Sequence, residues 1–179
     1  YFRELIVRWF QFGVFCPLFR LHGNRNPNTE HPELGMGTGA DNEVWSFGEE
    51  AYEIIKELLF LRARLKPYIM EQMELAHKKG LPPMRPLFFN YPDDDNCYQI
   101  DDEFLFGDHL LVAPVVEKDA RYREVYLPAG EVWLNVWSQA EIKGGQTIKV
   151  EAPLDRIPLF VKVSIEGKDL LEIIRNIKI

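Results

Sequence analysis

The sequence predicts an α+β chain in which a helix–strand–helix unit is followed by an antiparallel β-sandwich. Three observations carry this. Leu5, Ile6, Trp9 and Phe10 recur at helical spacing before a Gly. An apolar run of strand length, Val14 to Leu21, then leads into a polar, turn-rich segment. Beyond Pro82-Pro83 the hydrophobic period shortens to that of strands separated by Asp, Gly and Pro turns.

Residues 2–12 read as an amphipathic helix stopped near Gly13, and 14–21 as a buried strand with Cys16 as a small core residue. The stretch 23–42 is rich in Gly, Asn, Pro and Thr and reads as a long loop, a kind that is usually functional. Ser46 and Glu49 have capping-box spacing. The stripe Ala51, Ile54, Ile55, Leu58, Leu61, Leu65, Tyr68 and Ile69 predicts one long helix over 47–79, kinked at Pro67 and ended by Lys78, Lys79 and Gly80. Helix, strand, long loop and helix form a β/α unit whose active face lies at the C-terminal end of the strand. Runs at 84–91, 104–106, 109–116, 121–127, 131–137, 146–151 and 157–165 then read as short strands of a sandwich. The stretch 167–176 reads as a short terminal helix.

Composition narrows the function. The 179 residues are 46% hydrophobic with 12 Phe, 7 Tyr and 4 Trp, enough for a sizeable aromatic core. A net charge of -7 with no basic patch argues against nucleic acid. No apolar run reaches the roughly 20 residues of a membrane span, and no signal peptide is read. Cys16 and Cys97 fit a reducing compartment, read as cytoplasmic. His22, His31, His77 and His109 form no ligand cluster, so neither metal nor cofactor is expected. The chain begins mid-pattern without Met, which predicts a piece of a longer protein.

Three residues stand out as site candidates. His22 follows the strand at the loop, where an imidazole can hydrogen-bond a ligand near neutral pH; the alternative is a histidine bonded to its own loop. Arg20 shares the strand face of His22 and suits either an internal ion pair or a substrate hydroxyl. Trp45, at the loop-to-helix junction, could stack on a flat ligand face, whereas Trp9 and Phe15 read as core. The clusters Asp93-Asp94-Asp95 and Asp101-Asp102-Glu103 read as solvated turns. The first lacks the alternating ligands and central Gly of a calcium loop. Glu49 and Glu50 read as helix-capping residues.

Several motifs point together to one family. They are V-R-W-F-Q-F-G-V-F-C-P-L-F-R-L-H-G at 7–23, N-E-V-W-S-F-G-E-E at 42–50, L-R-A-R-L-K-P-Y-I at 61–69, M-R-P-L-F-F at 84–89, F-L-F-G-D-H-L-L-V-A-P-V at 104–115 and A-P-L-D-R-I-P-L-F-V at 152–161. The chain resembles the C-terminal part of glycoside hydrolase family 31, the α-glucosidases and α-xylosidases. The resemblance implies that 1–80 is the last β/α unit of a (β/α)8 TIM barrel, 81–165 the β-sandwich domain after it, and 166–179 a divergent tail. It implies that His22 binds the sugar of the −1 subsite and that Arg20 shapes that pocket. It also implies a carbohydrate partner for the parent, an α-glucoside or α-xyloside, cleaved by a nucleophile and an acid/base that lie upstream of Tyr1. The chain alone is therefore expected to be inactive. Its exposed barrel face would favour self-association or a partner chain.

Two departures from the family are visible. The loop after His22 lacks a Pro-Trp that some members carry, and the sequence after Val161 diverges. The competing expectation is a non-catalytic carbohydrate-binding or assembly module with exposed aromatics on one sheet face; Trp133 and Trp137 are spaced to share such a face, although core packing is the favoured reading of both.

Overall fold

A computed structural model describes residues 2–21, 25–31 and 36–175, the strands within 25–40 by their backbone alone. Helix α1 (Phe2–Gly13) buries Ile6, Val7 and Phe10. A turn follows it, then a backbone hairpin of β1 (Arg25–His31) and β2 (Met36–Ala40), with His31 opposite Met36. A single 3-10 turn, Val44–Phe47, precedes α2 (Glu49–Arg64) and α3 (Lys66–Lys79).

Five of the sequence expectations are corrected here. Residues 14–18 are turn and bend and 19–21 are irregular rather than strand, and among the described residues they pair with none. A buried parallel strand needs neighbours for its ladder; here the carbonyls of Val14, Cys16 and Pro17 go to the Arg62 guanidinium instead. Cys16 is accordingly half-buried, not a core residue. The expected loop at 23–42 contains the β1–β2 hairpin. Helix 47–79 is two helices, broken at Leu65. Pro67, which has no N–H to donate to the preceding turn, falls in the first turn of α3, where that donor is not missed. Nor does Ser46 cap α2. Its hydroxyl donates to the Glu43 carboxylate at 3.1 Å, and Gly48 is the N-cap, without a side-chain bond. The end of α3 is as expected, with Gly80 in the left-handed conformation.

The remainder runs β3 (Met84–Arg85), a helical turn α4 (Leu87–Asn90), β4 (Phe104–Phe106), β5 (Leu110–Val112), β6 (Tyr122–Leu127), β7 (Val132–Asn135), β8 (Glu141–Lys143), β9 (Gln146–Glu151), β10 (Leu159–Lys162) and α5 (Ile165–Arg175). The run at 84–91 is thus strand only at its start, because Pro86 removes a ladder donor. Two antiparallel sheets form, one ordered β3-β4-β5-β10-β7-β8 and one of β6 with β9.

Alternation along the strands decides what each face touches. Phe104, Phe106, Leu110, Val112, Leu159 and Val161 pack with α1, α2, α3 and α5 in one core. Leu105, Leu111, Phe160 and Trp133 point the other way, into a second core closed by Val125 and Leu127 of β6. The molecule is thus three layers: helices, six strands, two strands.

Candidate functional site

The segment that carries the predicted site begins where α1 ends. Gly13 makes room for the chain to turn back, since a Cβ there would lie 2.6 Å from the Phe19 ring. Phe19 packs edge-on against Phe10, with ring centroids 5.4 Å apart. From the other side Arg62 of α2 donates to Val14 O at 2.7 Å, Cys16 O at 2.6 Å and Pro17 O at 3.0 Å. Its guanidinium also lies 5.8 Å from the Phe19 centroid. Burial holds the Arg62 pKa below its ordinary value, with the nearby Cys16 opposing.

Arg20 leaves this segment exposed to solvent. Trp45, 67% exposed, stands on the 3-10 turn two residues before buried Phe47. Phe47 packs on Phe2, at 5.8 Å between centroids, and Gly48 lies beside Arg3. The anchors of the two candidates therefore sit near opposite ends of α1, a helix of 12 residues or about 18 Å. The described structure does not bring Arg20 and Trp45 together. His22 lies outside the described residues.

Sequence reasoning missed the two arginines that organise the region. Arg62 was visible only as a cation inside L-R-A-R-L-K-P-Y. Arg8, between Val7 and Trp9, is buried and fixes α1 to the sheets. It donates to Ala120 O, Ala152 O, Pro153 O and Arg156 O at 2.8–3.2 Å, and to Gln11 Oε1 at 3.0 Å. Gln11 adds Leu154 O at 2.7 Å. Burial lowers the Arg8 pKa to about 10. The signal for both was an arginine on an otherwise apolar helix face, where a buried cation needs several acceptors.

The other candidates have structural roles. Asp94 accepts from Tyr126 Oη at 2.7 Å and Ala129 N at 2.9 Å, tying a turn to β6. Glu103, read as part of a solvated turn, is buried and accepts from Tyr126 N at 2.9 Å. Burial pushes its pKa up to about 7, against the pull of Arg123. Trp133 is fully buried with Nε1 donating to Pro128 O. Trp137 is half-buried beneath the Arg156 guanidinium. Neither offers the open sugar platform of the binding-module reading.

The sequence matches the glycosyl hydrolases family 31 TIM-barrel domain over residues 1–72 and the glycosyl hydrolase family 31 C-terminal domain over 80–164. The chain belongs to glycoside hydrolase family 31. Helices α1 and α2 and the first half of α3 therefore fall within its barrel domain, and β3 to β10 within its C-terminal domain. The chain is similar to a family 31 α-xylosidase from a soil metagenome, solved with xylose. The identity is 47% with a TM-score of 0.90, over 95% of this chain and 26% of that one. It is also similar to a Flavobacterium johnsoniae family 31 dextranase solved with isomaltotriose, at 43% identity and TM-score 0.77, over 89% of this chain and 18% of that one. The Saccharolobus solfataricus α-xylosidase is 36% identical over 161 residues, 90% of this chain. This chain spans 20% of that relative's length.

Proposed function

We propose that these 179 residues form part of a retaining α-glycosidase that removes terminal α-linked xylose or glucose. The observation that carries the reading is the 47% identity, over 95% of the chain, to an α-xylosidase whose structure holds xylose. Retaining hydrolysis needs two carboxyl groups about 5–5.5 Å apart, one attacking the anomeric carbon and one passing a proton to and from the departing oxygen. On this reading segments of the enzyme other than these residues supply both. The chain supplies the floor and rim of the −1 subsite: His22 hydrogen-bonds a sugar hydroxyl, and Arg20 shapes the same wall. Trp45, held apart from Arg20, is a candidate aromatic of another subsite. The C-terminal sheets act as a buttress, gripping α1 through Arg8. Trp9, read from the sequence as core but 60% exposed, would be covered by the rest of the barrel, as would the exposed Phe60, Met70 and Met73.

Two measurements test this. The 179-residue chain should show no turnover of 4-nitrophenyl α-xyloside or α-glucoside, whereas the longer enzyme should turn over at least one. In the longer enzyme His22→Ala should lower kcat/KM roughly tenfold or more, the loss of a substrate hydrogen bond. Turnover by the short chain, or an unaffected His22→Ala enzyme, would sink the reading.

A further inference from the structure

We infer that Arg62 is a positioning residue for the sugar site. Its guanidinium sets the path of the chain from Val14 to Pro17, and so the place from which Arg20 projects. The inference rests on the site reading above, and the geometry beneath it stands independently.

The α1 backbone holds this segment only at its start. Val14 N donates to Phe10 O and Phe15 N to Phe12 O, at 3.0 and 3.1 Å, and Cys16 N to Gly13 O at 3.0 Å. Its carbonyls are left to find donors elsewhere, and Pro17 contributes no N–H. Arg62 answers with three bonds to carbonyls within four residues, of 2.6–3.0 Å. Such a set needs the rigid planar fork of a guanidinium; a lysine ammonium, a point donor on a flexible stem, cannot reproduce it. The same fork faces the Phe19 ring, which Phe10 backs and Gly13 admits. One residue past that ring is Arg20. A helix of the barrel layer thus fixes, from behind, the chain that leads to the site. Displacements near 1 Å in such a place cost up to about a hundredfold in rate.

The test compares Arg62→Met, which keeps an apolar stem, Arg62→Lys, Arg20→Ala and the control Arg64→Met in the longer enzyme. Arg64 serves as control because its Nε goes to Ile173 O of α5, away from the segment. Arg62→Met should raise KM and lower kcat/KM roughly tenfold or more, at temperatures where the protein stays folded. Arg62→Lys should fall between it and the parent, and Arg64→Met should leave both constants unchanged. In the 179-residue chain, Arg62→Met should speed hydrogen exchange at Phe15, Cys16 and Leu18 to Arg20. A lowered Tm with unaltered KM and kcat would overturn the inference and leave Arg62 a stabilising residue only. Unchanged exchange would overturn it too. If Arg20→Ala leaves both constants unchanged, the site reading fails instead, and exchange alone decides whether Arg62 holds the segment.

Discussion

Glu103 shows how one buried side chain can carry a pH dependence. The residue is 6% exposed, and burial pushes its pKa to about 7 from an ordinary 4.5. Arg123 at 3.8 Å and the Tyr126 N–H oppose that shift, while Asp102 reinforces it. Between about pH 4.5 and 7 the folded chain keeps a proton that the unfolded chain releases. Stability therefore falls as pH rises through that window and is level above it. Urea titrations across this range should show the fall in the parent and not in Glu103→Gln, whose amide oxygen can still accept from Tyr126. A parent with flat stability from pH 4.5 to 7.5 would contradict the assignment. Gly107, in F-L-F-G-D-H, is required for two reasons. Its φ is +68°, and a Cβ would run into Tyr68 Oη and the Gln72 side chain. Tyr68 Oη is already committed to Phe106 O at 2.6 Å. Gly107→Ala should cost roughly 2–4 kcal/mol in chemical denaturation. The glycine is plain in the motif, but the side chains crowding it come from a helix more than 30 residues earlier.

Among the elements, α1 is seated on the sheets by Arg8 as well as by its apolar stripe. Four carbonyls from two separate loops converge on that guanidinium. Arg8→Leu keeps the bulk and strands those acceptors, so it should destabilise by at least about 3 kcal/mol, measured by urea unfolding. A loss below 1 kcal/mol would mean that water replaces the arginine. The long helices were legible, because stripes of apolar residues need no knowledge of partners, while the four-residue α4 was read as strand. Helix ends were less so. Ser46 had the spacing of a cap, yet its hydroxyl found Glu43 instead, three residues back. The run 14–21 failed as a strand for the complementary reason. Its composition suits a ladder, but a ladder is a property of two strands, and a side chain from α2 took the carbonyls.

On the scale of the whole molecule, the helix layer and the C-terminal sheet share a core. Phe104, Phe106 and Leu110 pack against Phe15, Ile55, Leu58 and Tyr68 within one cluster. The period change after Pro82-Pro83 therefore marks a change of architecture, while burial runs across it. Residues 81–179 produced alone would expose that face of six strands, so they should give a poorly dispersed NMR spectrum and bind a hydrophobic dye. A well-dispersed spectrum would show that the sheet folds without its helices. In the same way the 179-residue chain, with Trp9, Phe60 and Met70 outward, should self-associate as concentration rises in sedimentation.

The sequence by itself determined the family, the order of long helices before the sandwich strands, and the apolar stripes. All of these are written in local spacing and residue type, and neither depends on where the chain later goes. Tertiary structure alone decided that Arg62 would hold the segment before Arg20, that Arg8 would bind α1 to the sheets, and that Glu103 would be buried. Each of those depends on partners 20 to 150 residues away. A buried polar group takes its chemistry from the acceptors and charges around it, and spacing along the chain does not encode them.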